Sequence, residues 1–269
     1  GDVAGAESLA REVLAVRRRT LDEKHPDLAM AVNNLGAYLR VEGKLAEAEP
    51  LQREALAIWR KALGDEHPDV ASAASNLAFV LHEKGDPAGA EVLQREALAI
   101  RVKVYGEESL QVARTLGPLG PILLDEGKPE EAEAVLRRAL AIRVEKLPPR
   151  QVDTAVAQAD LAGALNARGK FEEARTLAAE ALSIREEKLP AGQWSRFEAQ
   201  SLLGEALAGQ GKLAEAEALL LPAYDGLKAS AAASPRRKRA ARERIVRLYE
   251  AWGRPEAAVA WRAKETAPF

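Results

Sequence analysis

"EGKLAEAEPLQREALAI" runs from Glu42 to Ile58. "KGDPAGAEVLQREALAI" runs from Lys84 to Ile100, and "EGKPEEAEAVLRRALAI" from Glu126 to Ile142. They are one phrase rewritten at a fixed interval. Gly43, Gly85, Gly127, Gly169, Gly211 and Gly253 recur every 42 residues, with Gly1 in the same register. Ala6, Ala48, Ala90, Ala132, Ala174, Ala216 and Ala258 keep that interval, and so do Leu35, Leu77, Leu119, Leu161 and Leu203, with Ile245 closing the row. Ala55, Ala97, Ala139, Ala181 and Ala223 form a further row. Self-similarity at about 20–50 residues over a whole chain signals a solenoid or array.

Each unit reads as two helices. In "HPDVASAASNLAFVLHEKG", His67 to Gly85, apolar residues stand at Val70, Ala73, Ala74, Leu77, Val80 and Leu81, a helical spacing. Pro68 suits the first helical position, Asp69 complements the positive end of the helix dipole, and Gly85 stops the helix. A second helix follows from about Pro87 to Val104. Ala48 and its equivalents let the two helices approach closely, and the Leu row fills the space between them. One hairpin cannot bury both of its faces, so neighbours must stack. The expected fold is all-α: a right-handed superhelical solenoid of stacked antiparallel helix pairs, one array over 1–269. Its divisions are 1–25 as the second helix of a truncated repeat, full repeats at 26–67, 68–109, 110–151, 152–193 and 194–235, and a capping repeat at 236–269. Because Gly1 already sits at an inter-helix turn, the natural protein is expected to extend further N-terminally.

Composition narrows the function classes. Hydrophobic residues make up 47% of 269, a globular content, while aromatics are only 4%. A net charge of −2 gives no global field for nucleic acid or membrane. The chain has no cysteine, hence no disulfide framework and no thiolate chemistry. There is no long apolar run, and "GDVAGAESLA" at the start is not a signal peptide. A cytoplasmic setting is expected, with no membrane partner.

No catalytic constellation emerges, and neither a metal site nor a cofactor is expected. His25 and His67 stand 42 residues apart before helix starts, where Ser109 takes the same slot, so they read as caps. Glu130-Glu131 and Glu172-Glu173 open second helices and complement the dipole. There is no HExxH, no P-loop and no strand–turn–helix around a nucleophile. The basic run "PRRKRAARERIVR", Pro235 to Arg247, reads as the solvated face of a capping helix, with a phosphate or nucleic-acid site as the alternative. Pro118 and Pro121 fall inside a first helix and predict a kink there, with the Arg114 and Gly117 carbonyls left open.

The order Leu35, Gly36, Ala48, Ala55 resembles the tetratricopeptide repeat. The 42-residue period with "NNLG", "GKLAEAEPLQREALAI" and "GDEHPDVA" is similar to the kinesin light chain type of that family. The ending "RERIVRLYEAWGRPEAAVAWR" is similar to closing repeats of bacterial serine/threonine kinases. The resemblance implies that first helices line a concave groove and meet a peptide. The positions it points to are Asn33, Ala37 and Arg40, then Ser72, Ser75, Phe79 and His82, then Arg114 and Gly117. In later repeats the same positions hold Asn166, Glu198, Ser201 and Glu205. Asn33, Asn34 and Asn76 stand where kinesin light chains place asparagines against an extended peptide, since an amide both donates and accepts. The other reading of Asn34 and Asn76 is a tie between adjacent helices. After Asn76 the row passes to Pro118, Asp160 and Leu202.

The function expected is therefore a non-enzymatic scaffold that binds a peptide or partner protein in its groove. The alternatives are a regulatory segment of a larger signalling enzyme such as a bacterial serine/threonine kinase, and self-assembly through the array ends. Ligand identity, its direction and the oligomeric state are open at this stage, and nucleic acid is not expected as a partner.

Overall fold

A computed structural model describes residues 3–264, and the register glycine Gly1 lies outside them. The described residues form thirteen helices and no strand, in two compact units, residues 1–126 and 127–269. The first unit holds α1 (Val3–Thr20), α2 (Pro26–Val41), α3 (Leu45–Leu63), α4 (Pro68–Lys84), α5 (Pro87–Tyr105) and α6 (Leu110–Asp125). The second holds α7 (Pro129–Lys146), α8 (Val152–Ala167), α9 (Phe171–Lys188), α10 (Trp194–Gly209), α11 (Leu213–Ala229), α12 (Pro235–Ala251) and α13 (Pro255–Ala263).

The ends of these helices have local causes. His25 and His67 accept the Asp27 and Asp69 backbone N–H at Nδ1, both at 3.1 Å, and Ser109 Oγ accepts from Val112 N at 3.3 Å. The three residues of one register slot thus all act as N-caps. Between the helices of a pair, Gly43, Gly85, Gly127, Gly169, Gly211 and Gly253 have φ between 69° and 88°. That region is costly for a residue with a Cβ, so the glycine row is the turn itself.

Packing within each unit follows the rows. Every helix packs on its sequence neighbours, and the first helices also touch the next first helix: α2 with α4 and α4 with α6, then α8 with α10 and α10 with α12. Ala48, Ala55, Ala90 and Ala97 are fully buried in the first unit, as are Ala132, Ala139, Ala174 and Ala181 in the second. Leu35, Leu77, Leu119 and Leu161 are at most 3% exposed, whereas Leu203 is only half-buried. Gly36 shows what close approach is for. A Cβ there would come within 2.6 Å of Gln52 Nε2, and without one the buried Gln52 amide donates to the Asn33 carbonyl at 3.0 Å.

Helix α6 runs without interruption from Leu110 to Asp125, with Pro118 and Pro121 inside it. Its faces are buried at Leu116, Leu119, Ile122 and Leu123, so tertiary contact holds a segment whose own hydrogen bonding is incomplete.

Candidate functional site

In the first unit, α2, α4 and α6 lie side by side and present the positions marked by the resemblance. Asn33, Ala37, Arg40, Ser72, Asn76 and Phe79 are half-buried, Ser75, His82 and Gly117 are buried, and Arg114 is exposed. Asn76 Nδ2 donates to Asn33 Oδ1 at 2.8 Å. His82 Nε2 lies 2.7 Å from Asp125 Oδ2. Both pairs join residues 43 apart, one period plus one, and tie α2 to α4 and α4 to α6. Asn76 therefore does tie helices, but to Asn33 and not to Asn34. Asn34 is exposed and lines a cavity of about 200 Å³ with Ala6, Leu9, Ala10 and Val13 of α1 and with Tyr38.

Three further features mark this face. The Arg40 guanidinium sits 5.4 Å from the centre of the Phe79 ring, a cation–π contact. Ser75 is 6% exposed, and its Oγ has no hydrogen-bond partner in the protein. From the second helix α5, Arg101 reaches in between α4 and α6. It donates to Thr115 Oγ1 at 2.5 Å and, at 3.4 Å, to Ser72 Oγ.

The second unit builds the equivalent face of α8, α10 and α12 from ion pairs. Glu198 accepts from Arg237 Nε at 2.8 Å and lies 3.6 Å from Arg185. Glu205 accepts from Arg244 Nε at 2.7 Å and from Arg247 at 2.5 Å, and Arg244 also reaches Ser201 Oγ at 3.3 Å. Asn166 Nδ2 donates to the Leu202 carbonyl at 3.0 Å. Burial works against both glutamates, yet the arginines around them outweigh it and hold both below the usual carboxylate range. Asp160 goes the other way. Burial, with the Glu198 charge added, pushes it up to about 6, against the opposing pull of Arg185, Arg143 and Arg237.

The basic run needs correction here. It is not a solvated outer face: Arg242 is 3% exposed, Arg237 and Arg244 are half-buried, and Arg237 also stacks 4.4 Å over Trp194. Three of its arginines, Arg237, Arg244 and Arg247, pair with Glu198 and Glu205 of α10, which stand at groove positions. Among the described residues, no group of His, Cys, Asp and Glu could hold a metal ion, and no helix is long and apolar enough to cross a membrane.

The profile of the tetratricopeptide repeat matches residues 27–101, 69–145 and 111–187, and related repeat profiles match 1–27 and 198–222. The chain belongs to the tetratricopeptide repeat family. Solved structures place it beside kinesin light chain-like members. The nearly identical TPR-like repeats of a Podosopora anserina protein assigned as a kinesin light chain are 26% identical over 75% of this chain and 95% of that one, with a TM-score of 0.62. BtubC (BKLC) from P. vanneervenii is 24% identical over 85% of this chain and 92% of its own, with a TM-score of 0.66. A Rap protein complexed with Competence and Sporulation Factor is 15% identical over 97% and 84%, with a TM-score of 0.64, a likeness of fold. No curated protein matches the sequence.

Within a tetratricopeptide array the first-helix face is made of residues that vary between repeats, and two of the most informative here escaped the sequence reading. Arg101 is on a second helix, outside the positions the family resemblance marks. Its signal was present: Arg101, Arg143 and Arg185 follow the same "I" at 42-residue spacing. Thr115 also had one, since Ala31, Ala73, Ala157, Ala199 and Ala241 hold its register. An array of this kind carries its chemistry in hydrogen bonding and charge on that face, which suits recognition of another chain.

Proposed function

We propose that this tetratricopeptide chain is a scaffold that binds a partner protein through an extended peptide laid along the first-helix face of α2, α4 and α6. Ser75 is the observation that carries the reading. A buried hydroxyl without a partner is uncommon in a native interior, and a turn of the Ser75 side chain about χ1 would bring it to a peptide N–H or C=O passing along α4. Phe79 beneath Arg40 adds an apolar plate with a charged rim, the side-chain types that dominate binding energy at interfaces. The fold likeness to a Rap protein complexed with a factor supports a ligand-bearing role. The setting proposed is cytoplasmic.

Asn33 and Asn76 enter this proposal as the tie that keeps α2 against α4, while Arg40, Ser72, Ser75 and Phe79 meet the ligand. Peptides selected from a random display library on the immobilised protein supply the probe. Arg40→Ala and Phe79→Ala are each expected to weaken the selected peptides about tenfold, or about 1.4 kcal/mol. Circular dichroism checks that both variants fold. No selectable peptide, or unchanged affinity in both variants, overturns the reading.

A further inference from the structure

An ion pair of the second unit loses its acid at the same register in the first. On α9, Arg185 is 2% exposed, lies 3.6 Å from Glu198 and donates to the Ser195 carbonyl at 2.5 Å. Glu198 stands thirteen residues after Arg185, and thirteen residues after Arg101 stands Arg114. The register that supplies a carboxylate to one arginine supplies a second guanidinium to the other. Among the described residues no carboxylate pairs with Arg101. Burial, and the nearby charge of Arg114, lower its pKa, with Tyr105 opposing.

Hydroxyls stand in for the missing acid. Thr115 Oγ1 and Ser72 Oγ each accept from Arg101 and give their own protons to backbone carbonyls, Thr115 to Gln111 at 2.9 Å and Ser72 to Pro68 at 3.1 Å. They orient the guanidinium without neutralising it. Two of its five donors are engaged, one of them weakly, so a fork of N–H groups is left for a ligand. Thr115 interrupts a row of buried alanines, and the hydroxyl that replaces a methyl hydrogen there is spent on Arg101. Ser75, less than one helical turn along α4 from Ser72, adds a buried hydroxyl with no mate. A half-buried cation without a counter-ion costs stability, and an anion delivered from outside recovers it.

We propose that Arg101, with Ser72 and Thr115 beside it, forms an oxyanion site that the bound partner completes with a carboxylate or phosphate group. The inference rests on the peptide reading for the source of the anion, though the site itself can be tested without a peptide. Guanidinium binds both groups through paired N–H donors, which explains an arginine at this place in preference to a lysine.

The probes are sodium acetate and inorganic phosphate, titrated at constant ionic strength while the backbone amide resonances of Ser72 and Thr115 are followed. Saturable shifts with at least one anion are expected, and the stronger of the two arms assigns the group as carboxylate or phosphate. Two variants should abolish saturation. Arg114→Glu copies Glu198 and gives Arg101 a built-in counter-ion, and Arg101→Leu copies Leu227, which holds the same register in α11. Non-saturating shifts with both anions, or equal saturation in folded Arg114→Glu, overturn the site. For peptides obtained by display, Arg114→Glu is expected to cost tenfold or more with an acidic ligand and little with its Gln counterpart. Peptides that bind well but show no acidic preference defeat this inference and leave the scaffold reading standing, whereas saturable anion binding without any selectable peptide does the reverse.

Discussion

Two carboxyl groups in the second unit show how strongly neighbours set the state of a side chain. Glu133 is 5% exposed, which alone would raise its pKa, but hydrogen bonds from Lys170, Arg137 and Arg168 pull it down to about 2 from an ordinary 4.5. The ionised form is favoured in the folded chain. Its contribution is present above pH 4.5 and is lost as pH falls toward 2, and it is on the order of 3 kcal/mol at most. Asp160, raised to about 6 from 3.8, has the opposite sign. Its contribution is present below pH 3.8 and is lost as pH rises through 6. Urea melts should therefore show Glu133→Gln weaker than the parent at pH 7 with the gap closing by pH 2. Asp160→Asn should be more stable by about 1 kcal/mol or more at pH 7.5 and equal at pH 4. A pH-independent difference for either variant would disprove the assignment. Asp160 in an asparagine register was visible as a departure in the sequence, whereas its charge environment depends on Arg185 and Arg237, 25 and 77 residues away in number.

At the scale of the element, α6 is the instructive case. The sequence predicts a kink at Pro118 and Pro121, and the segment stays one helical element to Asp125 with both prolines inside it. Propensity is a local preference, and the buried row of Leu116, Leu119, Ile122 and Leu123 overrides it. The missing N–H groups remain missing, so Pro118→Ala is expected to raise stability by about 1 kcal/mol or more through a restored bond to the Arg114 carbonyl. Differential scanning calorimetry would read this as a higher midpoint, and an unchanged or lower one would mean that the helix gains from proline's stiffness. Second helices are joined differently. Arg11–Glu47, Arg18–Glu54, Arg60–Glu96 and Arg137–Glu173 all span 36 residues. These bridges are largely exposed and hold register more than they stabilise.

Within each unit, each helix touches its neighbours in sequence and, for first helices, the next first helix. Stability in such an array is close to a sum of repeat and interface terms. Removing α12 and α13, then α10 and α11, should lower the urea midpoint in steps while the remaining helices keep their circular dichroism. Loss of all helical signal on removing α12 and α13 alone would contradict a modular array. The ion pairs of Glu198 and Glu205 make the first of these steps the more salt-sensitive one, since both glutamates lose arginines of α12.

The sequence by itself determined the helices, their pairing and the family, because those depend on neighbours along the chain: proline and serine or histidine at starts, glycine at turns, and alanine and leucine at helical spacing. It also marked the first-helix face. Only the tertiary structure decided which residues on that face are already spent. Asn33 and Asn76, like His82 and Asp125, differ by 43, Glu198 and Arg237 by 39, and the bridges between second helices by 36, none of them the 42 of the repeat. Those offsets come from how rigid helices slide and seat against one another. The 42-residue count alone therefore does not reveal that Asn33 meets Asn76, or that Arg101 comes to rest between two hydroxyls with no acid among the described residues to pair it.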